Sequence, residues 1–522
     1  MFAVLLWYKT APQNTGVSAM NHDLQPIIIG VGQAVWRERD VERSPVDALQ
    51  AVAAKALSDT GSERVMQAID GIVHIPFLMN QVPGLAEAMP INPGAALADR
   101  LGIDAIQYTS DVGGNLPQQL LNEFSGRLTH GDGEVVLLCG VELLASFLGA
   151  VRSGQPFPDW STGLDSTAIQ VGETPLMTAA TEQAHGLYEP INAYPLFESA
   201  QAHAKGLSNA EHQTLLGDLL SSMSRCAEQN PYAWKNRQLS SQEVLSTAGG
   251  NRMISYPYTK VMNAIIAVDQ AAAVVLTTVG KARELGVDPQ RWIYLRGAAS
   301  AHDSWFLSQR ANLQESPALK AACKAALTQS GLSVEALTHF DLYSCFPSAV
   351  QAGCDALDLE LDDSRGVTVT GGLSLFGGPG NNYSLHAIAS MVDRLRETDR
   401  GAGLVWANGG YLTKHSVGVY AREPSEHPWE PKSDESLQAS IDALTTPVLA
   451  EEGEGSFVIE AHTVCYSAEQ PERAIALGRL ADGRRCVALS KDSELMQRLI
   501  EKNHVGCQAR VTHEDGLNHF NL

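Results

Sequence analysis

The sequence predicts a layered α/β protein with a duplicated core, interrupted by a long insertion and followed by a small β-rich domain. Three observations predict it. Continuous apolar strands alternate with amphipathic helices, one strand–turn–helix–strand order occurs twice, and beyond residue 455 the pattern changes to short strands and hairpins. At 522 residues the chain is too long for one hydrophobic core, which agrees with several structural units.

The first strand is Pro26-Ile27-Ile28-Ile29-Gly30-Val31-Gly32, an unbroken apolar run of the kind buried on both faces. Ser44-Pro45 supplies the N-cap and first position of a helix that turns Leu49, Val52, Ala53, Ala56 and Leu57 inward. Gly71 to Ile75 is the next strand, and the alternation points to a mostly parallel sheet.

Val65 to His74 and Val334 to Tyr343 each read as a helix end feeding a strand. Each is followed about forty residues later by a glycine–asparagine turn opening a helix, Gly113-Gly114-Asn115 and Gly380-Asn381-Asn382. An apolar strand ending in glycine comes next in both, at Val135 to Gly140 and Leu404 to Gly410. Residues 20–280 and 281–422 are therefore expected to be related halves, with 1–19 a tail.

The insertion at 150–255 is rich in Gly, Pro and aromatics, as in Pro156-Phe157-Pro158-Asp159-Trp160. It also carries an amphipathic helix from Ser208 to Ser224, and a hundred structureless residues inside a compact core are improbable, so a lid or subdomain is expected. Val268 to Thr277 resumes the core as a buried strand. Residues 423–454, with Pro424, Pro428 and Pro431, read as a linker. In 455–522, Phe457 to Tyr466 is a strand, Arg473 to Leu480 and Arg484 to Leu489 flank a hairpin turn, Ser493 to Lys502 is a helix, and Cys507 to Thr512 is a further strand. The strand count predicts a barrel of the OB type.

Lys plus Arg is 37 and Asp plus Glu 59, a net charge of −22 that argues against a nucleic-acid partner while leaving room for a local basic pocket. Charged residues at 18% and apolar residues at 44% describe a packed chain. The eight cysteines form no CxxC pair, so neither a disulfide framework nor a metal site is expected, and a reducing, cytoplasmic location fits. No apolar run is long enough to span a membrane. The run Phe2 to Tyr8 is short and lacks a basic flank, so it reads as part of a tail or as sequence ahead of a start at Met20.

Three segments carry chemistry. Tyr343-Ser344-Cys345-Phe346 ends a second-half strand, the glycine run Gly371 to Gly380 leads into a helix containing His386, and Ala407-Asn408-Gly409-Gly410 closes the last strand. This order resembles the thiolase superfamily, closest to its sterol-carrier-protein type, over residues 25–422. The segment Gly478 to Arg485 within the small domain resembles the extra C-terminal domain of thiolase-like protein type 1. The resemblance implies a five-layer αβαβα core, CoA or acyl-CoA as substrate with no tightly bound cofactor, and a homodimer or tetramer.

Departures from that family shape the functional expectation. A thiolase holds its nucleophilic cysteine at the start of the first-half helix, where the helix dipole lowers the thiol pKa. The matching position here falls at Ser110 or a neighbour; a serine is a weak nucleophile without an adjacent base, and Asp111 beside it disfavours an anion. Gly378 falls on the family's activating histidine and Ala407 on its second cysteine, so thiolysis through an acyl-cysteine is not expected. Cys345 matches the cysteine of the family's His-Asp-Cys-Phe motif, with Tyr343 and Ser344 in place of His and Asp. Cys345 is then an acid/base or nucleophile, or a buried small hydrophobe; Tyr343 is a phenolic acid or oxyanion donor, or a packed ring.

Asn381 and Asn382 either cap their helix or polarise a thioester carbonyl. Asn408 could bind the same oxyanion or a water, His415 is the candidate general base, and His386 is structural. Lys235 and Arg237, beside Tyr232 and Trp234, together with Arg252 and Lys260, are candidates for gripping the CoA phosphates. The expected activity is that of an acyl-CoA-handling enzyme of the acyltransferase family. The alternatives are a retro-aldolase, as in sterol-carrier-type relatives that work with a small β-barrel partner, a thioesterase, or a non-catalytic CoA- or lipid-binding protein.

Overall fold

The computed structural model describes residues 22–81, 86–156, 158–162, 166–427, 429–430 and 434–522; the expected tail at 1–19 lies outside them. In chain order the first half runs β1 (Pro26–Val35), α1 (Pro45–Asp59), β2 (Gly71–His74), α2 (Pro93–Leu101), β3 (Ile106–Ser110), α3 (Leu116–His130), β4 (Val135–Leu143) and β5 (Ile169–Val171). The insertion contributes α4 (Pro190–Ala204), α5 (Asn209–Gln229), β6 (Met253–Ser255) and β7 (Tyr258–Thr259), and β8 (Asp269–Thr278) returns to the core. The second half follows as β9 (Ile293–His302), α6 (Pro317–Ser330), β10 (His339–Leu342), α7 (Pro347–Leu357), α8 (Tyr383–Arg396), β11 (Ala402–Gly409) and β12 (Lys414–Ala421). The chain ends with α9 (Glu435–Asp442), β13 (Gly455–Ser467), β14 (Gln470–Leu480), β15 (Arg485–Ser490), α10 (Ser493–Glu501), β16 (Gln508–Glu514) and β17 (Leu517–Asn521).

The duplication shows in the strand pairing. In the first half β2 and β4 are parallel, β4 and β8 antiparallel, and β8 and β1 antiparallel. In the second half β10–β11, β11–β12 and β12–β9 repeat those three directions in the same order. The halves join edge to edge where Ile27 and Ile28 of β1 meet Tyr294 and Ile293 of β9. The sheet is thus mixed, which corrects the expectation of a mostly parallel one. Each half ends on a strand that returns antiparallel beside its first, a direction that apolar patterning does not encode.

The unbroken apolar strands serve two cores at once. Along β4, Val136 and Leu138 face one cluster with Leu120 and Phe124 of α3 and Ile388 and Val392 of α8. The alternate residues Val135, Leu137 and Cys139 face another with Leu49 and Val52 of α1 and Leu97 of α2. Helices α3 and α8 therefore lie between the two halves of the sheet, α1 and α2 cover the first half, and α6 and α7 cover the second. This is the expected five-layer arrangement.

The insertion is helical. Glu198 of α4, fully buried, accepts hydrogen bonds from Tyr258 Oη at 2.6 Å and Gln351 Nε2 of α7 at 2.6 Å, and meets His212 Nε2 of α5 at 2.6 Å. One carboxylate thereby fastens both insertion helices to the second half. The final segment closes a five-strand barrel in the order β13–β14–β15–β17–β16–β13, extended by β6 through Cys465 and Ser255. Phe457, Ile459, Ala476 and Phe520 fill it, with Leu495 and Leu499 of α10 as its plug. All eight cysteines are unpaired.

The barrel is fixed to the body by buried polar contacts. Arg485, 1% exposed, donates to Glu460 at 2.7 Å and to the carbonyls of Ser308 and Arg310 at 3.2 and 2.5 Å. Asn518 N–H donates to His185 Nε2 at 2.9 Å, and His462 N–H to Ser199 Oγ at 3.0 Å. Arg485→Met leaves Glu460 paired with Arg479 but strips the donor from the buried carbonyls of Ser308 and Arg310. It should lower stability by about 2 kcal/mol, as leaving buried carbonyls without a donor does, read as a lower urea midpoint. A change within about 0.5 kcal/mol, the level of an ordinary surface substitution, would show that the barrel is held by other contacts.

Candidate active site

The N-termini of α3 and α8 meet between the sheet halves. Their turns are the two glycine–asparagine signals of the sequence. Gly113 N–H donates to Asn381 Oδ1 at 2.9 Å, Asn381 Nδ2 donates to the Pro76 carbonyl at 2.9 Å, and Ser384 Oγ donates to the Gly114 carbonyl at 2.6 Å. Neither asparagine caps its own helix. Asn382 Nδ2 crosses to the Gly140 carbonyl at 2.8 Å, and its Oδ1 is buried without a hydrogen-bond partner. Two helix N-termini aimed at one place make a region that favours negative charge.

Gly113 has φ +151°, and a Cβ on Gly114 would overlap the Tyr343 hydroxyl and the Asn408 carbonyl. Glycine is required there because a tyrosine occupies the space over the turn. Tyr343 follows β10, meets Tyr383 edge-on with ring centres 5.4 Å apart, and has its phenol pushed up by burial and by the neighbouring Cys345.

Cys345 lies 3.8 Å from Asn408 Nδ2, which also donates to Tyr194 Oη at 2.8 Å. Tyr194 in turn donates to the Gly410 carbonyl at 3.0 Å and accepts from Leu412 N–H at 3.0 Å. Burial pushes the Cys345 thiol up to about 12, so it is neutral at physiological pH and a poor nucleophile. Asn408 keeps a buried Oδ1 without a partner. Tyr194 has no motif in the sequence; it enters from the insertion helix α4.

Ser110 ends β3, buried, and its hydroxyl donates to the Asp111 carbonyl at 3.2 Å. No described histidine, lysine or carboxylate side chain is hydrogen-bonded to it, so the activation its nucleophilic role requires is missing.

His415 is corrected. Its Nε2 meets Ser316 Oγ at 3.0 Å and Asp303 Oδ2 at 3.3 Å, its Nδ1 accepts from Trp406 Nε1 at 3.3 Å, and it is 1% exposed. Both ring nitrogens are committed, which leaves none for a substrate proton. His386 is structural, as expected: Nδ1 meets Gln33 Oε1 at 2.9 Å, and burial lowers its pKa to about 3.

Two titratable groups at the site stand outside the expected set. Glu142 of β4 is buried, accepts from Leu78 N–H, keeps Oε2 unpartnered, and is pushed up to about 8 by burial, so its carboxyl is protonated at neutral pH. Lys414, the first residue of β12, reaches the turn before α3 and donates to the Val112 carbonyl at 2.8 Å and Thr174 Oγ1 at 3.1 Å.

Three of the four phosphate-binding candidates gather. Lys235, Arg237 and Lys260 are exposed, and the Lys235 ammonium is pushed down by burial and then by Arg237 and Lys260. Arg252 is corrected: its guanidinium donates to the carbonyls of Met253 at 3.1 Å and Ala468 at 3.2 Å, the latter in the barrel, so it leaves the cluster. From Lys260 the chain runs directly to the site, where Ala264 N–H donates to the Cys345 carbonyl at 3.2 Å. Among the described residues no cluster of three or more metal-ligating side chains occurs, and no helix is long and apolar enough to cross a membrane.

Residues 436–516 match the profile of the thiolase-like protein type 1 additional C-terminal domain. A 3-ketoacyl-CoA thiolase of Salmonella typhimurium is 32% identical over 155 residues, 27% of this chain and 33% of the relative, so the match spans about a third of that relative's length. Among solved structures, a monomeric SCP2-thiolase-like protein type 1 from Mycobacterium smegmatis superimposes with TM-score 0.82 at 33% identity, over 96% of this chain and 99% of the other. The Ltp2-ChsH2(DUF35) aldolase (TM-score 0.56, 18% identity, 77% and 99% coverage) and the acetyl-CoA acetyltransferase of Syntrophomonas wolfei (0.52, 15%, 76% and 99%) share the fold. With the duplicated layered core, the added barrel and a full-length relative one-third identical, the chain belongs to the SCP2-thiolase-like protein type 1 family.

Proposed function

We propose that the protein binds CoA thioesters and cleaves a carbon–carbon bond in them without forming a covalent acyl-enzyme. One observation carries the reading. The paired helix N-termini favour a developing thioester oxyanion, yet the nearby thiol, Cys345, is neutral and the Ser110 hydroxyl is bound to a carbonyl. Stabilisation of a thioester enolate survives in this geometry, whereas acyl transfer through cysteine or serine does not. Retro-aldol cleavage of a 3-hydroxyacyl thioester needs only that stabilisation and a base, and one solved structure of the same fold is an aldolase. A second reading, thioester binding without turnover, is favoured by the Tyr343 hydroxyl filling the space over Gly114.

Lys235, Arg237 and Lys260 would hold the CoA phosphates, with residues 260–265 leading the thioester arm to Cys345. The relative from Mycobacterium smegmatis is described as monomeric, and here β5 pairs along the outer edge of β3. Both favour a single chain over the homodimer that the wider resemblance implies. The unpaired cysteines fit a cytoplasmic setting.

Incubation with a panel of 3-hydroxyacyl-CoA thioesters should release a ketone or aldehyde together with a shortened acyl-CoA. Free CoA alone would mean hydrolysis, and a lengthened 3-ketoacyl-CoA would contradict the reading. CoA should raise the unfolding temperature. Charge reversal at Lys235 or Arg237 should weaken that binding about tenfold, ~1.4 kcal/mol, while Arg252→Ala leaves it unchanged. No shift at millimolar CoA would remove the thioester assignment.

A further inference from the structure

Lys414 stands on the inner side of the sheet, where the α3 turn, the last strand and the segment after β5 meet. A Cβ on Gly113 would lie 2.7 Å from Lys414 Nζ, and one on Gly409 3.0 Å from Lys414 Cε. Asn115 Oδ1 lies within 2.7 Å of that same Gly113 position, buried and without a hydrogen-bond partner. Bare backbone on two sides and an unanswered amide oxygen thus surround a buried amine. Gly113 and Gly114 are consecutive, so the amine and the Tyr343 hydroxyl stand over neighbouring residues of one helix-opening turn.

We infer that Lys414 is the base of this site, the group that accepts the 3-hydroxyl proton when the carbon–carbon bond of a 3-hydroxyacyl thioester breaks; this rests on the lyase reading above. The neutral amine takes the O–H proton. The C3–O bond becomes a carbonyl as the C2–C3 pair moves into the thioester as an enolate. C2 then takes a proton from the ammonium, which restores the amine. No oxidant, reductant or co-reactant is consumed.

The surroundings suit that role. Burial pushes the Lys414 ammonium down to about 8, opposed by the Asp111 carboxylate in the turn before α3. His302 of β9 is the cross-strand partner of Lys414, the N-cap residue Asn115 and the α3 side chains Gln118 and Gln119 are neutral, and Glu173 beside Thr174 is exposed. Because the deprotonated amine is the active form, turnover should rise with pH through about 8.

Trace labelling with acetic anhydride, resolved by mass spectrometry across pH 6 to 11, tests the amine without requiring turnover. Lys414 should reach half its maximal reactivity near pH 8, well below surface lysines, and CoA thioester should protect it. Labelling in step with surface lysines, or no protection, would overturn the inference. In turnover assays Lys414→Arg keeps a donor toward Val112 and Thr174 but offers no base. It should fold with an unchanged melting temperature and lose activity at least 100-fold, as should Lys414→Met. A purely structural lysine predicts that Lys414→Arg stays active with the same pH profile, and that result sinks Lys414 alone. Absence of lyase products from the unaltered protein sinks the functional reading instead.

Discussion

The site depends on one contact, the hydrogen bond from Gly113 N–H to Asn381 Oδ1 across the internal duplication. It holds two helix starts against each other, and the packing around it follows. Glycines are needed where the two turns and Tyr343 approach each other. The Asn381 and Asn382 side chains are spent on the opposite half, not on their own helix. Around this contact lie buried polar atoms without partners, Asn382 Oδ1, Asn115 Oδ1, Asn408 Oδ1 and Glu142 Oε2. Each costs about 1–3 kcal/mol if left unsatisfied. Their concentration at one place marks where a ligand or water completes the bonding.

The insertion and the barrel support this contact from behind. Arg485 of the barrel holds the Arg310 carbonyl, and the Arg310 guanidinium donates to the carbonyls of Tyr411 and Leu412. That turn in turn donates to Tyr194 from Leu412 N–H, and Tyr194 fixes Asn408 beside Cys345. A continuous set of buried hydrogen bonds therefore runs from the added domain to the second-half strand ends. Glu198 does the same work for the insertion. Both additions act as buttresses to the site.

Much of the architecture was legible in the sequence because its cause is local. Strands that feed two cores must be apolar throughout, and the helix-opening glycine–asparagine turns occur in both halves. The sheet direction was not legible, since pairing partners are remote. Lys414 and His415 show the limit at the site. They are neighbours on one strand, so they face opposite sides of the sheet, and only the register with β11 and β9 tells which side carries the chemistry. A histidine beside a glycine turn is the stronger signal by chemistry, yet its face leads to Trp406, Ser316 and Asp303. Tyr194 and Glu142 were invisible for a related reason: an insertion helix and a strand end acquire a role only through contacts hundreds of residues away in the chain or across the duplication.

The central claim is that the site works on thioesters without an acyl-enzyme. Intact-protein mass spectrometry after rapid quenching from excess acyl-CoA addresses it directly. The account predicts the unmodified mass at every time point. A transient increase equal to one acyl group, mapped to Cys345 or Ser110, would contradict it.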